Sequence, residues 1–251
     1  MNSFRKILLL NFGLFLAVSF SFGMTDQEIK ELLVRTDNNA TPKQYEGMMV
    51  MKNYKPDQDM VQNRTHLYFK NDKVIAVFVS PPIQKGQAFV RDGDNMWMFL
   101  PKSKKVTRIG AKDKSMGGEA SNADIMRTKL AEDYDGVYLG DETVGGVACY
   151  KIELKARERT VAYDKVVYWI SKDKELPVKR EYYTLSGKKS RTMTFGDIKM
   201  LGGRERPALM VISNEENKDY KTEIIIESLS PDAKIEDYIF TPAYVKQGIL
   251  E

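Results

Sequence analysis

The sequence contains very few of the side chains from which most catalytic and metal sites are built. Its 251 residues include one cysteine, Cys149, and one histidine, His66. A zinc site of Cys and His ligands, a Cys–His nucleophile pair and a disulfide framework therefore lack the residues they need. Because both residues fall on the polar side of their predicted strands, we expect His66 to be a surface imidazole and Cys149 an inert, outward thiol.

An excess of one charge and the common catalytic motifs are also absent. Lys and Arg number 39 against 35 Asp and Glu, which leaves a net charge of +4. This charge is too small for a typical nucleic-acid-binding surface, so no nucleic-acid partner is expected. The sequence has no Gly-x-Ser-x-Gly motif, P-loop or dinucleotide fingerprint, and neighbouring acids such as Glu215 and Glu216 fall in predicted turns. We therefore expect no enzymatic activity, no cofactor and no metal.

The one long apolar run lies at the N-terminus. Residues 2–6 carry two basic side chains, residues 7–22 are apolar apart from Asn11, and small residues stand two apart at Ser21 and Gly23. This pattern is typical of a cleaved signal peptide, whereas a membrane anchor needs about 20 apolar residues and finds roughly 16 here. We expect residues 1–23 to be a signal peptide and residues 24–251 to form a single periplasmic domain.

The mature sequence predicts a mainly β, α+β fold. Residues 25–28 (TDQE) form a capping box, which predicts a helix to about Arg35. From there to about residue 229, short runs of alternating polarity separated by turn residues predict a meander of eleven or twelve antiparallel strands. Ser121 and Asp124 predict the start of a second short helix, and residues 231–251 a mixed helix and coil segment.

The predicted sheet is apolar on one face and polar on the other. In one strand, for example, Tyr150 and Ile152 alternate with Lys151 and Glu153. An apolar face must be covered, so either the helices pack onto it completely or the sheet curls and leaves a cavity beneath them. The 13 methionines favour a cavity, because flexible side chains suit surfaces that re-pack around apolar ligands, but a Met-filled core fits the same pattern. Both alternatives remain open from the residues alone.

The expected cavity is lined by apolar strand residues and covered by a helical lid. The lining residues are expected to be Met49, Met51, Leu67, Phe69, Phe78, Phe89, Trp97, Phe99, Tyr150, Ile152, Tyr168, Met193, Phe195, Ile224 and Ile226. The lid residues are expected to be Ile29, Leu32, Leu33, Met116, Ile125 and Met126.

One stretch of sequence resembles the signature of a known family. Residues 95–109 (NMWMFLPKSKKVTRI) follow the form aromatic-x-aromatic-x-Pro-x-x-x-x-Val-x-Arg-Ile, and residues 116–125 supply a Gly/Ser-containing loop and a short acidic helix. Residues 146–155, 165–170 and 237–242 follow in the same order as later elements of that family. The chain thus resembles the outer-membrane lipoprotein-sorting proteins, the LolA-like family, over nearly its whole mature length.

The resemblance implies a fold and a function. The fold is an unclosed antiparallel β-barrel of about eleven strands with a lid of short α-helices. The function is to carry acyl chains of lipoproteins or other lipids across the periplasm, with an inner-membrane donor or exporter as a partner and transient membrane-surface contact. An arginine that locks the lid is expected to be Arg64, Arg91 or Arg108. The alternative is a docking or structural protein of the envelope, or an accessory subunit of a membrane exporter.

The lysines of residues 102–114 belong to both interpretations. Lys102, Lys104, Lys105, Lys112 and Lys114 can meet anionic headgroups or an acidic partner. A solvated basic loop is the simpler explanation of these lysines.

Overall fold

The computed structural model describes residues 23–115, 117–126, 129–159 and 161–247. The predicted signal peptide up to residue 22 and the predicted lid residue Met116 lie outside the described residues. Within the described ranges, no helix has the length and apolar character needed to cross a membrane.

The domain opens with helix α1, Asp26–Ala40, which covers one face of the sheet. The predicted capping box is confirmed: the Thr25 hydroxyl accepts a hydrogen bond from the Glu28 N–H at 3.2 Å, and the Thr25 N–H donates to the Glu28 carboxylate at 2.7 Å. This pairing satisfies backbone donors that the first turn cannot use. The helix continues to Ala40 rather than ending near Arg35, and its buried face consists of Ile29, Leu32, Leu33 and Thr36.

In the part of the chain that the structure describes, thirteen antiparallel strands form one sheet. They are β1 Gln44–Lys55, β2 Gln58–Lys70, β3 Lys73–Ser80, β4 Ala88–Asp92, β5 Asn95–Leu100, β6 Lys105–Ile109, β7 Tyr134–Val144, β8 Val147–Ala156, β9 Lys165–Ser171, β10 Pro177–Tyr183, β11 Lys189–Leu201, β12 Arg204–Asn214 and β13 Lys221–Ser230. The order is β6-β5-β4-β3-β2-β1-β13-β12-β11-β10-β9-β8-β7, so pairing of the first and last strands joins two meanders. The edges β6 and β7 leave the sheet unclosed, which confirms the predicted fold class.

The two edge strands are consecutive in the chain. The connection between them contains a loop, helix α2 at Asn122–Met126 and helix α3 at Leu130–Asp133. We call residues 110–121 the connecting loop. The predicted start of α2 is confirmed, because the Asp124 carboxylate accepts from the Ser121 N–H at 2.7 Å while the Ser121 hydroxyl accepts from the Asp124 N–H at 3.2 Å.

Both faces of the sheet are covered, each by a different part of the chain. The inner face, which we define as the face covered by α1, holds the main core, and Ile29, Leu32 and Leu33 are at most 2% exposed within it. On the outer face, a 3-10 turn at Asp237–Ile239 and helix α4 at Pro242–Val245 pack over the β3–β5 end of the sheet. The C-terminal segment is therefore mixed helix and coil, as the sequence indicates.

Candidate ligand-binding hollow

A hollow lies between α1, α2 and the inner face of the sheet. It measures about 970 Å³ with its open mouth included, and about 100 Å³ of it can hold the centre of a water molecule. Its apolar lining consists of Ala40, Tyr45, Met49, Leu67, Phe69, Ile125, Pro177, Met193, Phe195, Leu201, Pro207, Met210, Ile224, Ile226 and Leu229. Helix α1 thus covers much of the inner face but leaves a hollow beside it.

The predicted lining residues fall into several groups. Seven of them line the hollow: Met49, Leu67, Phe69, Met193, Phe195, Ile224 and Ile226. Four pack in the inner core away from the hollow: Met51, Tyr150, Ile152 and Tyr168. Phe78 and Phe89 also belong to the inner core and border a separate depression near β6. Sequence reasoning missed Met210 and Leu229, which lie on the inner face of β12 and β13.

The predicted placement of two aromatic residues on the cavity wall was wrong. Met96 and Met98 occupy the inner face of β5, so alternation puts Trp97 and Phe99 on the outer face. There Phe99 is 4% exposed and packs in the cluster that contains Phe240 of the C-terminal segment. The outer face is apolar at this end because that segment covers it.

The predicted lid residues that the structure describes lie over the inner face. Ile29, Leu32 and Leu33 are buried beneath α1, Met126 is buried, and Ile125 lines the hollow. Helix α1 approaches edge strand β7 very closely at Gly136, where an added Cβ would stand 2.5 Å from Ile29 Cγ2. With Ile29 in α1, the helix can therefore lie this close to β7 only because residue 136 is a glycine.

Two arginines hold backbone carbonyls of the lid helices. Arg91 of β4 is 1% exposed and donates to the carbonyl of Gly93 at 2.8 Å and to that of Met126 in α2. Arg206 of β12 donates to the carbonyls of Asn38 and Asn39 in the last turn of α1. Arg91 was a candidate from the sequence, whereas no sequence pattern distinguished Arg206.

The other two arginine candidates lie on the surface. Arg64 forms an ion pair with Glu227 at 2.7 Å, and Arg108 donates to the side chain of Asn95 at 2.6 Å. Neither of these contacts involves α1 or α2. Of the three arginine candidates, Arg91 is therefore the one that contacts a lid helix.

A buried carboxylate attaches the connecting loop to the sheet. Glu119 is 3% exposed and accepts from Lys114 at 2.5 Å and from Asn214 at 3.0 Å, with Arg191 3.6 Å away. Its backbone N–H donates to the Thr222 hydroxyl at 2.8 Å. A buried charge with several partners of this kind fixes the position of a loop, because leaving it unpaired costs several kcal/mol, on the order of 3–5.

The residue before Glu119 must be small for this attachment to form. A Cβ on Gly118 would lie 2.0 Å from Asn53 Oδ1 and 2.5 Å from Thr222 Oγ1, and Thr222 donates to Asn53 Oδ1 at 2.8 Å. The loop backbone therefore lies directly on the polar centre of β1 and β13.

Among the described residues, four that carry charge line the hollow: Asp37, Asp124, Arg180 and Arg206. Asp124 accepts from Ser121 and, at 2.7 Å, from the Tyr163 hydroxyl. The Asp37 carboxylate accepts from the Leu130 N–H of α3, and its burial raises its pKa to about 7, although the positive charge of Arg180 acts in the opposite direction. Arg180 donates to the Tyr168 hydroxyl at 2.9 Å.

The remaining polar residues singled out in the sequence lie outside the hollow. His66 is half-buried on the outer face, where its Nε2 is 2.7 Å from Glu46. Cys149 lies on the outer face, as expected, but it is fully buried there with Val167 and Trp169 rather than exposed, and burial raises its pKa. Within the described part of the chain, no group of three or more His, Cys, Asp and Glu is arranged to hold a metal ion.

The predicted basic stretch is exposed to solvent. Lys102, Lys104, Lys105 and Lys112 lie on the surface, and Lys114 reaches Glu119. This position fits a solvated loop, and contact with a membrane surface stays a prediction.

Comparison with known proteins identifies both a family and a fold. A family model described as "Uncharacterized protein" matches residues 70–247, which is more than half of the chain. No curated protein matches the chain.

Three solved structures have the same fold. A LolA superfamily protein from Nitrosomonas europaea is 24% identical, with a TM-score of 0.78, over 88% of this chain and 99% of its own. A putative outer membrane lipoprotein-sorting protein domain from Vibrio parahaemolyticus is 24% identical, with a TM-score of 0.77, over 86% and 97%. A DUF1329 family protein from Desulfovibrio piger is 23% identical, with a TM-score of 0.79, over 88% and 98%. At these identities the likeness shows a common fold.

Proposed function

Since the chain belongs to the family whose model matches residues 70–247 and has the fold of the LolA superfamily, we propose that it is a periplasmic carrier of acyl chains. The observation that carries the proposal is the hollow beneath α1, with its apolar lining and open mouth. The similarity to the outer membrane lipoprotein-sorting protein domain from Vibrio parahaemolyticus supports lipoproteins as one source of those chains. The predicted signal peptide at residues 1–23 supports the periplasm as the compartment.

The chemistry of the lining suits an acyl chain. Each methylene group removed from water contributes about 0.8 kcal/mol, so a 16-carbon chain offers roughly 10 kcal/mol before ordering costs, enough for micromolar binding. Met49, Met193 and Met210 supply unbranched side chains that can change rotamer as a chain enters. A lining of this kind binds without a rigid fit, and a carrier must also release its cargo.

The hollow is too small for a long acyl chain unless part of the structure moves. Pockets for drug-sized ligands usually measure about 300–1,000 Å³, whereas only about 100 Å³ here can hold the centre of a water molecule. Binding of a long chain therefore requires α1 or α2 to shift from the sheet. The conformation described is accordingly a closed one, with α1 seated on the inner face of the sheet.

The small volume also favours a second candidate function. With Leu32 and Leu33 at most 1% exposed beneath α1, the domain is well packed without a ligand. A protein that stays in this form would act as a docking or structural protein of the envelope, or as an accessory subunit of a membrane exporter. Such a protein would neither retain lipid nor bind apolar probes.

A matched pair of substitutions separates the two functions. Met210 lines the hollow, whereas Met200 of β11 is 67% exposed. In Met210→Trp the indole occupies the hollow, and we expect at least about a tenfold loss of affinity for the neutral fluorophore N-phenyl-1-naphthylamine; Met200→Trp should bind like the wild type.

Solvent extraction and mass spectrometry of the purified protein provide an independent measurement. Co-purified lipid in the wild type that is reduced in Met210→Trp supports the carrier. Absence of both lipid and probe binding in the wild type would leave the docking function. If the two Trp variants bind the probe equally, the hollow is not the binding site.

A further inference from the structure

Arg180 lies on the inner face of the sheet, where apolar residues predominate. It stands in β10 opposite Tyr168 of β9 and Met193 of β11, both of which are buried. A register shift between Pro177 and Lys179 lets Pro177 and Arg180 both line the hollow, although strict alternation would place them on opposite faces. The irregularity in the strand therefore accompanies a cation directed to the hollow.

Arg180 is held by aromatic side chains, and Asp37 is the acidic residue whose charge acts on it through space. Its Nη2 donates to the Tyr168 hydroxyl at 2.9 Å, and its Cζ lies 4.3 Å from the Tyr168 ring centroid and 5.1 Å from that of Phe195. Its Nε is buried without a hydrogen-bond acceptor. Among the residues that the structure describes, no carboxylate lies within ion-pair distance of this guanidinium. Burial raises the pKa of Tyr168 to about 12, so this hydrogen-bond partner is a neutral phenol.

The nearest acids are engaged elsewhere. The Asp37 carboxylate accepts from the Leu130 N–H, and its pKa, raised by burial to about 7, leaves it about half protonated at neutral pH. Asp124 accepts from Ser121 and Tyr163. An arginine side chain stays protonated in proteins, and its burial is costly unless an anion compensates the charge. The hollow therefore presents a positive charge that no direct ion pair neutralises, beside an apolar lining.

We propose that Arg180 binds the carboxylate of a fatty acid whose hydrocarbon chain lies along the apolar lining of the hollow. The proposal rests on the carrier function and specifies its cargo as a single-chain lipid with an anionic end. A guanidinium binds a carboxylate through two parallel hydrogen bonds, and the aromatic rings of Tyr168 and Phe195 hold it in place.

The space beside Arg180 selects among anions. Arg180 also borders a smaller cavity, of which about 40 Å³ can hold the centre of a water molecule. Its lining includes Lys129, Asp124 and Asp133 besides Leu130 and Tyr134. A planar carboxylate fits a space of this size, whereas the phosphodiester headgroup of a phospholipid is much larger. The site therefore favours a fatty acid over a phospholipid.

Competition with chains of equal length tests the proposal. Dodecanoate, dodecanol and dodecyl phosphate would each displace N-phenyl-1-naphthylamine from the purified wild-type protein at pH 6, where dodecanoate is ionised and Asp37 is mostly protonated. We expect dodecanoate to bind at least about tenfold more tightly than dodecanol, as a hydrogen-bonded charge pair does. Equal affinities for dodecanoate and dodecanol, or tighter binding of dodecyl phosphate than of dodecanoate, would overturn the carboxylate assignment.

Two variants assign the preference to Arg180. Arg180→Met removes the charge and keeps an unbranched side chain, so dodecanoate should fall to the affinity of dodecanol while dodecanol binding is retained. Lys179→Met is the matched control, because Lys179 is the neighbouring cation on the same strand and pairs with Glu181 at 2.7 Å on the outer face. A preference that survives in Arg180→Met, or is lost in Lys179→Met, contradicts the assignment.

The experiment keeps the two proposals apart. If no chain displaces the probe, the carrier function fails. If all chains bind equally, the carrier function stands and the role of Arg180 fails. Should Arg180→Met not fold, the comparison of dodecanoate with dodecanol in the wild type still decides the question.

Discussion

Asp37 links two lid helices through one side chain. It lies in the last turns of α1, accepts a hydrogen bond from the Leu130 N–H at the start of α3, and faces the charges of Arg180 in β10 and Asp133 in α3. Burial raises its pKa to about 7, far above the ordinary value of about 4 for aspartate. The folded protein therefore binds more protons than the unfolded chain between these two values, and Asp37 makes the protein less stable as pH rises through that window.

Replacement of this carboxylate should remove that pH dependence. In the wild type, the melting temperature is expected to fall between pH 5 and pH 8, whereas Asp37→Asn keeps an oxygen for the Leu130 N–H and should show a smaller fall. In a chain of this size, a change of about 1 kcal/mol in the free energy of unfolding shifts the melting temperature by about 2–4 °C. Thermal unfolding followed by circular dichroism at both pH values measures the difference. The control is Asp219→Asn in the exposed turn before β13, which should behave like the wild type. Parallel curves for Asp37→Asn and the wild type would contradict the assignment.

Residues with local partners could be predicted from the sequence, whereas residues with distant partners could not. The capping residues Thr25 and Glu28 are three positions apart, so the sequence alone is sufficient to pair them. Arg206 and Arg180 acquire their surroundings from other strands and from helices that are remote in the sequence. For Arg180, the register shift in β10 also breaks the period of two on which face assignments depend.

The strands show the same difference between what local sequence predicts and what depends on distant parts of the chain. Eleven or twelve strands were predicted and thirteen are present, because β7 was not recognised. Its sequence, YDGVYLGDETV, contains two glycines and places apolar side chains on both faces, Tyr134 and Tyr138 on the inner face and the exposed Val137 and Leu139 on the outer face. It therefore lacks the alternation of apolar and polar residues by which a strand is recognised. Trp97 and Phe99 were assigned to the wrong face of β5 because the sequence does not reveal that a C-terminal segment covers the outer face.

The connecting loop is attached to the sheet by close contacts at Gly118 and Glu119. Because the position of a Cβ on Gly118 would be occupied by Asn53 and Thr222, we expect Gly118→Ala to displace the loop and disturb the contacts of Glu119. The free energy of unfolding should fall by about 1–3 kcal/mol, as is usual for overpacking. Urea titration measures this change. Gly196→Ala is the matched control, since a Cβ there has no neighbour within 4 Å; equal losses in the two variants would show that the contact at Gly118 is not limiting.

At the scale of the whole molecule, the route into the hollow depends on what can move. Each strand from β1 to β13 is hydrogen-bonded to its neighbours in one continuous antiparallel sheet, so widening the sheet requires breaking a complete ladder. Helix α1 is held by side chains and by a few polar contacts, such as those of Arg206 with Asn38 and Asn39. Movement of α1 away from the inner face is therefore the less costly way to admit a chain.

A reversible covalent link between α1 and the sheet tests this route. The close approach of Gly136 to Ile29 places two cysteines within disulfide range, so Ile29→Cys/Gly136→Cys in a Cys149→Ala background should oxidise to a bridge between α1 and β7. We expect the oxidised protein to take up N-phenyl-1-naphthylamine at least about tenfold more slowly than the reduced protein, and dithiothreitol to restore uptake. Ile29→Cys in the same background, which retains Gly136, controls for the substitution in α1, and the reduced double variant controls for both substitutions. Equal uptake by the oxidised and reduced forms would place the entrance on the α2 side of the hollow, because α1 could then remain seated while a ligand enters.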